Sequence, residues 1–528
     1  MKSSASELAG TEGQPVSETE AQWVTAARAE VEAQVHRAAD SCTAAKVPLL
    51  LEIAISVLRQ ACRTVKRLDI LAPVWPQDRG GSAGNRDKVV NETALLLYIA
   101  DRAAQAHPEL RATVEALTGL IASAARSERI QALLLRQRRS AALYRMADLI
   151  LRRLGRTDQA FSAAIDRSYS HRRQGSEQVP FRILETRWVD MLAGCGDPAF
   201  DDLLPFSIFS TDLDVFELDR LDLYSVTHWL MYASDFGRLP VASELRTPTL
   251  SMLQDACAWQ LAEQDFDVLG ELLLAAHFLG GSWSRRMDTI FATLVKLWQK
   301  QSFLPSPGLD GEHYESLTGE SREAYAVAYT YHTQFVFGML ALCLLEHPAH
   351  LNHEGAVSAS TRPVDVDAIR NLVRTVALRA RDFQGKDTPT VPIAVPADTS
   401  SPDQRPYSSL PQLDLSRPVL DEFEAEFEAE FEADKALSQQ LTLDGSLIRA
   451  VRQYDLAGLA SLLDMVLEGN RIASPIAWRA VQWLALQQTE DGAIGIQFMN
   501  PAQRSRPEAR IVTATLAALL ERWANRTA

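Results

Sequence analysis

The stretch RAVQWLALQQTEDGAIG, residues 479–495, is the part of the sequence from which the fold is predicted most directly. It has a basic residue, an aromatic–leucine pair, a glutamine five residues after the aromatic residue, and an acidic–glycine turn. The aromatic side chain can anchor a helix on its neighbour, and the amide of Gln488 can bond backbone groups left unpaired at the helix end. Gly492 can take the left-handed conformation that follows a helix. These residues therefore predict a fold of packed helices.

Weaker copies of this unit occur elsewhere in the chain. AWQLAEQDFD places Trp259 and Gln264 at the same spacing, and VKLWQKQSFLPSPGLDG joins Trp298 and Gln301 to a proline–glycine turn. HWLMYASDFGRLP has Trp229 followed by an acidic–aromatic–glycine turn. Units of a helix and a turn that recur roughly every 30 to 40 residues predict stacked helical hairpins.

The first stretch resembles the QW-type repeat of terpene cyclases, prenyltransferase β-subunits and related α/α-toroid proteins. The matching residues are Arg479, Trp483, Leu484, Gln488 and Gly492, while Ile494 stands where that motif prefers Trp. The resemblance implies a ring of hairpins with inner and outer helices around a central cavity that binds ligands. Residues 180–380 and 438–525 also resemble an uncharacterised family of actinobacterial helical proteins with a TH…DFG stretch and a YHT stretch. That second resemblance implies no activity.

An all-α fold is predicted for the whole chain, because Leu and Ala dominate and alternation of Val, Ile and Thr is rare. A chain of 528 residues is too long for one simple core. We predict an α/α toroid of helical hairpins preceded by a helical N-terminal domain. The predicted segments are a disordered 1–20, a helical N-terminal domain 21–175, a toroid body 176–384, a flexible Pro/Ser-rich and acidic insertion 385–437, and C-terminal helices 438–528 that complete the toroid.

Composition excludes some classes of function. The net charge of −15 argues against general nucleic-acid binding, which needs a cationic surface. Five cysteines without a CxxC spacing, and an N-terminus without the apolar core of a signal peptide, favour a reduced, cytoplasmic protein. The most apolar run, residues 326–345, approaches the length of a membrane span, but its polar side chains favour a buried helix and no membrane span.

Candidate catalytic residues begin with SVTHWLMYASDFGR, residues 225–238. His228, Tyr232 and Asp235 fall on one stripe of a helix. Asp235 is expected in the last turn of that helix, where a carboxylate opposes the helix dipole, and such a placement suggests a functional reason. The alternative is that Asp235 bonds the amides of the turn and His228 fills a core position. The letters DFG lack the other motifs of a protein kinase.

A second stripe lies in EAYAVAYTYHTQFVFG, and a third histidine, His277, lies near the end of another helix. If the two stripes face one cavity, catalytic and substrate-binding residues can be assigned; otherwise they are core residues that have found hydrogen-bond partners. The predicted catalytic residues are His228, Asp235 and His332. The predicted substrate-binding residues are Tyr232, Tyr325, Tyr329 and His277.

A divalent metal is a second use of these residues. His228, Asp235 and His332 could bind a metal if they converge, with His277 as a substitute. However, His228 and Asp235 are ~10 Å apart along one helix, from a rise of ~1.5 Å per residue. A substrate that bridges an acid and a base fits this separation more easily, so the cofactor stays open.

Three functions remain open. The first is a toroid enzyme that binds a small molecule or modified peptide and performs a tailoring or cyclase-type step; its place in bacterial specialised metabolism follows from the resemblance alone. The second is a non-catalytic scaffold that docks partners through an arginine-rich segment, residues 126–173, or through Phe423, Phe427 and Phe431 in DEFEAEFEAEFEAD. The third is a terpene-type cyclase that uses Asp212 or Asp214. The Cys-His dipeptide of lanthionine cyclases is absent from the sequence.

Overall fold

The described part of the chain consists of helices joined by turns and short loops, which confirms the all-α class. The computed structural model describes residues 46–71, 85–136, 141–170, 178–196, 200–280, 283–347, 364–384, 428–468, 474–494 and 507–526. Within these ranges there is no β-strand, only one isolated bridge between Gln488 and Ile494. The predicted disordered segment 1–20 lies outside the described residues, as does the insertion 385–437 up to residue 427.

The helices are numbered in chain order. They are α1 (46–66), α2 (Leu68–Leu71), α3 (Asn85–Ala106), α4 (Arg111–Ala125), α5 (Glu128–Arg136), α6 (Ala141–Arg153), α7 (Gln159–Ser170), α8 (Pro180–Leu192), α9 (Arg220–Ala233), α10 (Ser243–Glu263), α11 (Phe266–Phe278), α12 (Arg285–Gln301), α13 (Gly311–Ser316), α14 (Gly319–Glu346), α15 (Val366–Gln384), α16 (Glu428–Arg452), α17 (Leu456–Glu468), α18 (Pro475–Leu486) and α19 (Pro507–Ala524). Short 3₁₀ helices at Pro108–Leu110, Asp201–Phe206 and Ile208–Ser210 connect some of them.

Six helices form a closed ring of contacts in the order α3, α14, α11, α9, α8 and α6, with α6 returning to α3. The direction of neighbours follows from their side-chain contacts. Between α8 and α9, the indole of Trp188 donates to Asp235, and Tyr232 donates to Glu185; both pairs are separated by 47 residues. A constant separation means that the two helices run in the same direction.

In the other neighbouring helices of the ring for which two contacts are known, the sequence separation between contacting residues is also nearly constant. The pairs are Tyr224–Asp267 and Thr227–Glu271 for α9 and α11, Asp267–Thr333 and Gly270–Val336 for α11 and α14, Glu92–His332 and Arg102–Glu346 for α3 and α14, and Asp87–Tyr144 and Tyr98–Arg153 for α3 and α6. The six ring helices therefore point the same way. We call their N-terminal side the cluster end and their C-terminal side the cleft end.

The ring is surrounded by further helices. Only residues 264 and 265 separate α10 from α11, so the two run in opposite directions and form a hairpin. The C-terminal helix α16 packs on α10 and α12, and α15 packs on α18 and α19. One hydrophobic core includes residues from Leu50 to Ala524, and both predicted domains contribute to it. The predicted boundary at 175/176 stays a prediction.

The stretch that predicted the fold folds locally as expected. The side chain of Gln488 donates to the carbonyls of Val376 in α15, at 2.8 Å, and of Gly492, at 3.2 Å. Gly492 has φ of 93°, in the left-handed region. Arg479 is buried and forms ion pairs with Asp214 and Asp255, so it ties α18 to α10. These contacts attach the C-terminal helices to the body of the protein.

The helix α14 is long and apolar enough to cross a membrane by length and composition alone. In the structure, 83% of its most apolar 18-residue window is buried inside the protein. It contacts α3 and α11 within the ring. Its apolar surface is thus covered by protein, as in the core helix that its sequence predicts.

Candidate acid–base site

A group of five ionisable side chains lies on the inner helices towards the cluster end of the ring. It comprises Glu92 of α3, His228 of α9, Asp267 and Glu271 of α11, and His332 of α14, and we call it the His332 cluster. The helix α11 brings two acids into it, because Asp267 and Glu271 are four residues apart and therefore face the same way. Every residue of α11 from Phe266 to Phe278 is buried, so these carboxylates need partners inside the protein.

His332 lies between three of these carboxylates. Its Nδ1 is 3.0 Å from an oxygen of Glu92, and its Nε2 is 3.5 Å from one oxygen each of Asp267 and Glu271. Burial alone would lower the pKa of this imidazole, but Asp267, Glu92 and Glu271 together raise it well above its usual value. His332 is therefore a cation that holds three acids together.

Glu271 connects the two histidines of the cluster. One of its oxygens lies 3.5 Å from Nε2 of His332, and the other lies 3.8 Å from Nδ1 of His228. The hydroxyl of Thr227 donates to that second oxygen at 2.8 Å. Burial raises the pKa of Glu271, but the two histidines and Thr227 outweigh it, so the pKa lies below its usual value. Glu271 stays ionised although only 2% of its side chain is exposed.

The pKa of Asp267, one helical turn before Glu271, is shifted in the opposite direction. Tyr224 and Thr333 each donate a hydroxyl to it at 3.2 Å. Burial raises the pKa of Asp267, and His332 offsets this only in part, since Glu271 acts in the same direction as burial. Two neighbouring carboxyls with pKa values pushed apart are the arrangement that lets one site hold both an acid and a base.

The imidazole of His228 is held in one tautomer by the backbone. Its Nδ1 lies 2.9 Å from the carbonyl oxygen of Tyr224, which can only accept, so Nδ1 carries the proton. In the neutral ring Nε2 is then the free acceptor. The rings of Phe181 and Tyr224 flank it at 5.4 and 5.6 Å. Side chains of His228 and His332 are 20% and 24% exposed, so both reach solvent.

Two cations lie at the rim of the cluster. Lys88 is 3.5 Å from Glu92, and that carboxylate raises the pKa of the lysine. Arg220 is 2.9 Å from Asp265 and 3.7 Å from Asp267. Burial raises the pKa of Glu92, yet His332 and Lys88 hold it below its usual value. These cations allow several carboxylates to share a small volume.

The divalent metal predicted as an option has no matching geometry here. Among the described residues, no group of three or more His, Cys, Asp and Glu side chains is arranged to hold a metal ion. His332 occupies the space between the three nearest carboxylates and pairs with each of them. The His332 cluster is thus arranged for ion pairing and proton sharing.

Asp235 does not join this cluster. The helix α9 ends at Ala233, and Asp235 has φ of 48°, so the prediction that it lies in the last helical turn is wrong. Its carboxylate is buried and accepts from Tyr98 and Trp188, both at 2.8 Å, and from Arg238 at 3.1 Å. A left-handed turn carries its side chain towards the cleft end of the ring. His228 and Asp235 therefore belong to different sites.

The predicted substrate-binding residues are also divided. Tyr232 lies inside the ring beside His228, with ring centres 6.4 Å apart, and its hydroxyl donates to Glu185 at 3.2 Å. Tyr325 and Tyr329 stack at 4.4 Å, and the hydroxyl of Tyr325 accepts from the amide of Asp310.

His277 lies at the cleft end, 5.9 Å from the ring of His347. Of the four, only Tyr232 contacts a member of the His332 cluster through its ring.

Among the described residues predicted for the two alternative functions, several acids and arginines form ion pairs within the protein. Asp214 forms an ion pair with Arg479, and the amide of Asp214 donates to the carbonyl of Asp212. In the arginine-rich segment, guanidinium groups pair with acids of the same region, namely Arg126 and Arg152 with Asp148, Arg129 with Asp87, Arg145 with Asp190, and Arg156 with Glu115. Phe423 and Phe427 lie outside the described residues, and so does the side chain of Phe431.

Three members of the His332 cluster were not predicted from the sequence. Glu92, Asp267 and Glu271 stand in the apolar runs NETALLLYIA and FDVLGELLLAAHF. A carboxylate in the middle of an apolar helix is itself a signal, because it is rarely buried without a partner. The pairing of these acids with His228 and His332 depends on four helices and cannot be seen in any single segment.

Comparison with known proteins gives a family and no activity. A family described as "Domain of unknown function (DUF6895)" matches residues 58–342. The chain belongs to this family. The matched residues include all six ring helices except the last residues of α14, together with every member of the His332 cluster. No curated protein and no solved structure matches the chain significantly.

Proposed function

We propose that this DUF6895 protein is an enzyme that binds a small molecule at the cluster end of the ring and transfers protons with the His332 cluster. The observation that carries the proposal is Glu271, whose two oxygens contact two histidines that reach solvent. A purely structural ion pair needs one partner for each charge. Here two imidazoles and three carboxylates share one buried network, which is typical of sites that hold and move protons.

In this proposal His228 is the general base. Its Nε2 is the acceptor in the neutral ring, and Glu271 stabilises the imidazolium that forms when Nε2 takes a proton from the substrate. Asp267 and His332 share a second proton, and this pair donates it to another atom of the substrate. One proton leaves the substrate and one returns, so the reaction class is isomerisation or elimination of water. The network then resets as protons pass between His228 and His332 through Glu271.

The ring arrangement supports the toroid as the architecture of this site. Six helices of the same direction form a closed circle, and α10 runs back outside it, as expected for the inner and outer layers of a toroid of hairpins. The members of the cluster come from four of the inner helices. We propose that the substrate enters from the cluster end, past Phe181 and Tyr232, and that it is a small molecule or a modified peptide of bacterial specialised metabolism.

Proton transfer can be tested before the substrate is known. The purified protein is incubated in D₂O with small-molecule extracts of actinobacterial cells, and metabolites are compared by mass spectrometry. We expect at least one metabolite to gain deuterium or to lose water with the wild type. His228→Gln and His332→Gln should abolish this change, and His107→Gln, a control on the far side of the ring, should keep it.

Two results would overturn the proposal. One is that no metabolite changes with the wild type in any extract. The other is that a change seen with the wild type persists in both His228→Gln and His332→Gln, since the cluster would then not be responsible for it.

A further inference from the structure

The cleft end of the ring contains a cavity of about 580 Å³, which lies in the size range of small-molecule sites. It is lined from α3, α6, the end of α14 and the turn after α9. Arginine is the most frequent residue of its wall, with Arg102, Arg153 and Arg238. Apolar side chains of Ile150 and Leu154 form another part of the wall.

The three guanidinium groups differ in what they already bind. Arg102 pairs with Glu346 and donates to the carbonyls of Asp235 and Phe236, at 3.3 and 3.0 Å, so most of its N–H donors are already used. Arg238 uses only Nη1, towards Asp235 and the hydroxyl of Tyr98. Arg153 lies 5.6 Å from the ring centre of Tyr98, and its charge acts on Asp101 of the same wall, but it forms no direct hydrogen bond or ion pair among the described residues. Donors thus remain available on Arg153 and Arg238.

The turn that carries Arg238 is held in an unusual shape. Asp235, Phe236 and Gly237 have φ values of 48°, 55° and 86°, which places three successive residues in the left-handed region. Such a conformation is costly for residues other than glycine and tends to persist at functional sites. The buried bonds of Asp235 to Tyr98 and Trp188 keep the turn in place, and with it the wall of the cavity.

The cavity is separate from the His332 cluster. Along α3, Glu92 and Arg102 are ten residues apart, which is about 15 Å at the rise of a helix. Between the two ends lie the packed rings of Tyr98, Trp188 and Phe236, with ring centres 5.3 to 5.9 Å apart. A small molecule in the cavity therefore cannot reach the proposed acid–base site.

We propose that this cavity is a second ligand site, which binds a small organic oxyanion through Arg153 and Arg238. The planar fork of a guanidinium matches the geometry of a carboxylate or a phosphate. The apolar wall of Ile150 and Leu154 accepts the body of the ligand. This site is additional to the proposed catalytic one, and its binding can be measured without any assay of activity.

The test measures the affinity of two probe anions for the full chain by calorimetry, with ionic strength held constant by NaCl. Inorganic phosphate tests the phosphate group, and benzoate tests a carboxylate with an apolar body. We expect saturable binding of at least one probe, and Arg153→Gln should weaken it about tenfold or more, the loss of a charge-assisted hydrogen bond. The control Arg187→Gln, on α8, breaks a surface pair with Asp202 and should leave the affinity unchanged.

Arg153 is suited to this test because it is exposed and forms no direct hydrogen bond or ion pair among the described residues, so the variant should fold. Binding of phosphate alone identifies a phosphate site, and binding of benzoate alone identifies a carboxylate site; both support the proposal if Arg153→Gln weakens them. Equal affinity in Arg153→Gln and the wild type overturns it, and so does the absence of saturable binding of both probes.

Discussion

His228 and Asp235, seven residues apart in the sequence, belong to two different groups of contacts in the helical ring. His228 shares Glu271 with His332 in one group, and Asp235 is bonded by Tyr98, Trp188 and Arg238 in the other. Helical periodicity alone puts the two residues on one stripe. The left-handed turn after Ala233 separates them, and the turn depends on buried partners from α3 and α8 that no local pattern reveals.

Asp235 should be more important for stability than its place in a turn suggests. Asp235→Ala removes the acceptor of two buried donors, Tyr98 and Trp188, and we expect it to cost about 3 kcal/mol. Asp235→Asn keeps an acceptor oxygen and tolerates the left-handed conformation, so it should cost about 1 kcal/mol. Urea unfolding of the two variants checks this. Equal losses would show that the hydrogen bonds of the carboxylate do not hold the turn.

The helix α11 brings together the acids of the proposed site. Its sequence FDVLGELLLAAHF reads as a buried helix, and the structure agrees. The close contact with α14 occurs at Gly270, where a Cβ would lie 2.8 Å from a methyl group of Val336. This approach brings His332 of α14 to Asp267 and Glu271. A glycine inside a helix is visible in the sequence, but the neighbour that requires it is not.

Gly270→Ala should therefore push α14 away from α11. We expect a loss of about 1–3 kcal/mol, which is typical of overpacking in a core. The matched control is Gly119→Ala in the middle of α4, where nothing lies within 4 Å of the added methyl group. That change should stabilise the protein by about 0.5–1 kcal/mol through helix propensity. If thermal unfolding shows the same shift for both variants, the contact at Gly270 is not tight.

A buried charge network joins the C-terminal helices to α10 and α12. Asp255 of α10 contacts Arg479 of α18 at 3.3 Å, and Arg286 of α12 contacts Asp444 of α16 at 3.0 Å. Burial raises the pKa of Asp255 to about 7, and Arg286 and Arg479 offset this only in part. The sequence predicted the local roles of Gln488 and Gly492 at the end of α18, but not the acids that pair with Arg479.

This network predicts a dependence of stability on pH. The pKa of Asp255 is about 7 in the folded protein and 3.8 in its unperturbed state, so the folded state holds the proton more tightly. The resulting stability is fully present below the lower value and is lost as pH rises to about 7, by up to about 1.4 kcal/mol per pH unit. Asp255→Asn keeps the neutral form at every pH.

The comparison of Asp255→Asn with the wild type isolates this effect. The stability of the wild type relative to the variant should fall from about pH 5 to about pH 7, because only the folded state keeps the proton in this range. Above about pH 7 the difference should level off. Unfolding in urea at several pH values measures it. A difference that does not change with pH would mean that Asp255 is ionised throughout that range.

The all-α class was predictable from composition and helical patterns, because these depend on neighbours in sequence. The common direction of the six ring helices was not predictable, because it depends on contacts between residues that are about 40 to 250 positions apart in the sequence. Examples are Tyr224 with Asp267 and Arg102 with Glu346. Two histidines of the cluster were found from their stripes, and their carboxylate partners were not. The toroid stays a prediction that the ring supports.

Histidine-selective ¹⁵N NMR measures the two properties on which the proposed chemistry depends: three carboxylates hold His332 as a cation, and the carbonyl of Tyr224 holds neutral His228 in one tautomer. We predict that His332 titrates well above its usual pKa and that neutral His228 carries its proton on Nδ1. Glu271→Gln should lower the pKa of His332, and the control Glu185→Gln, which removes the ion pair with Arg182 outside the His332 cluster, should not. A His332 pKa at or below about 6.5, or a neutral His228 with its proton on Nε2, would contradict these assignments.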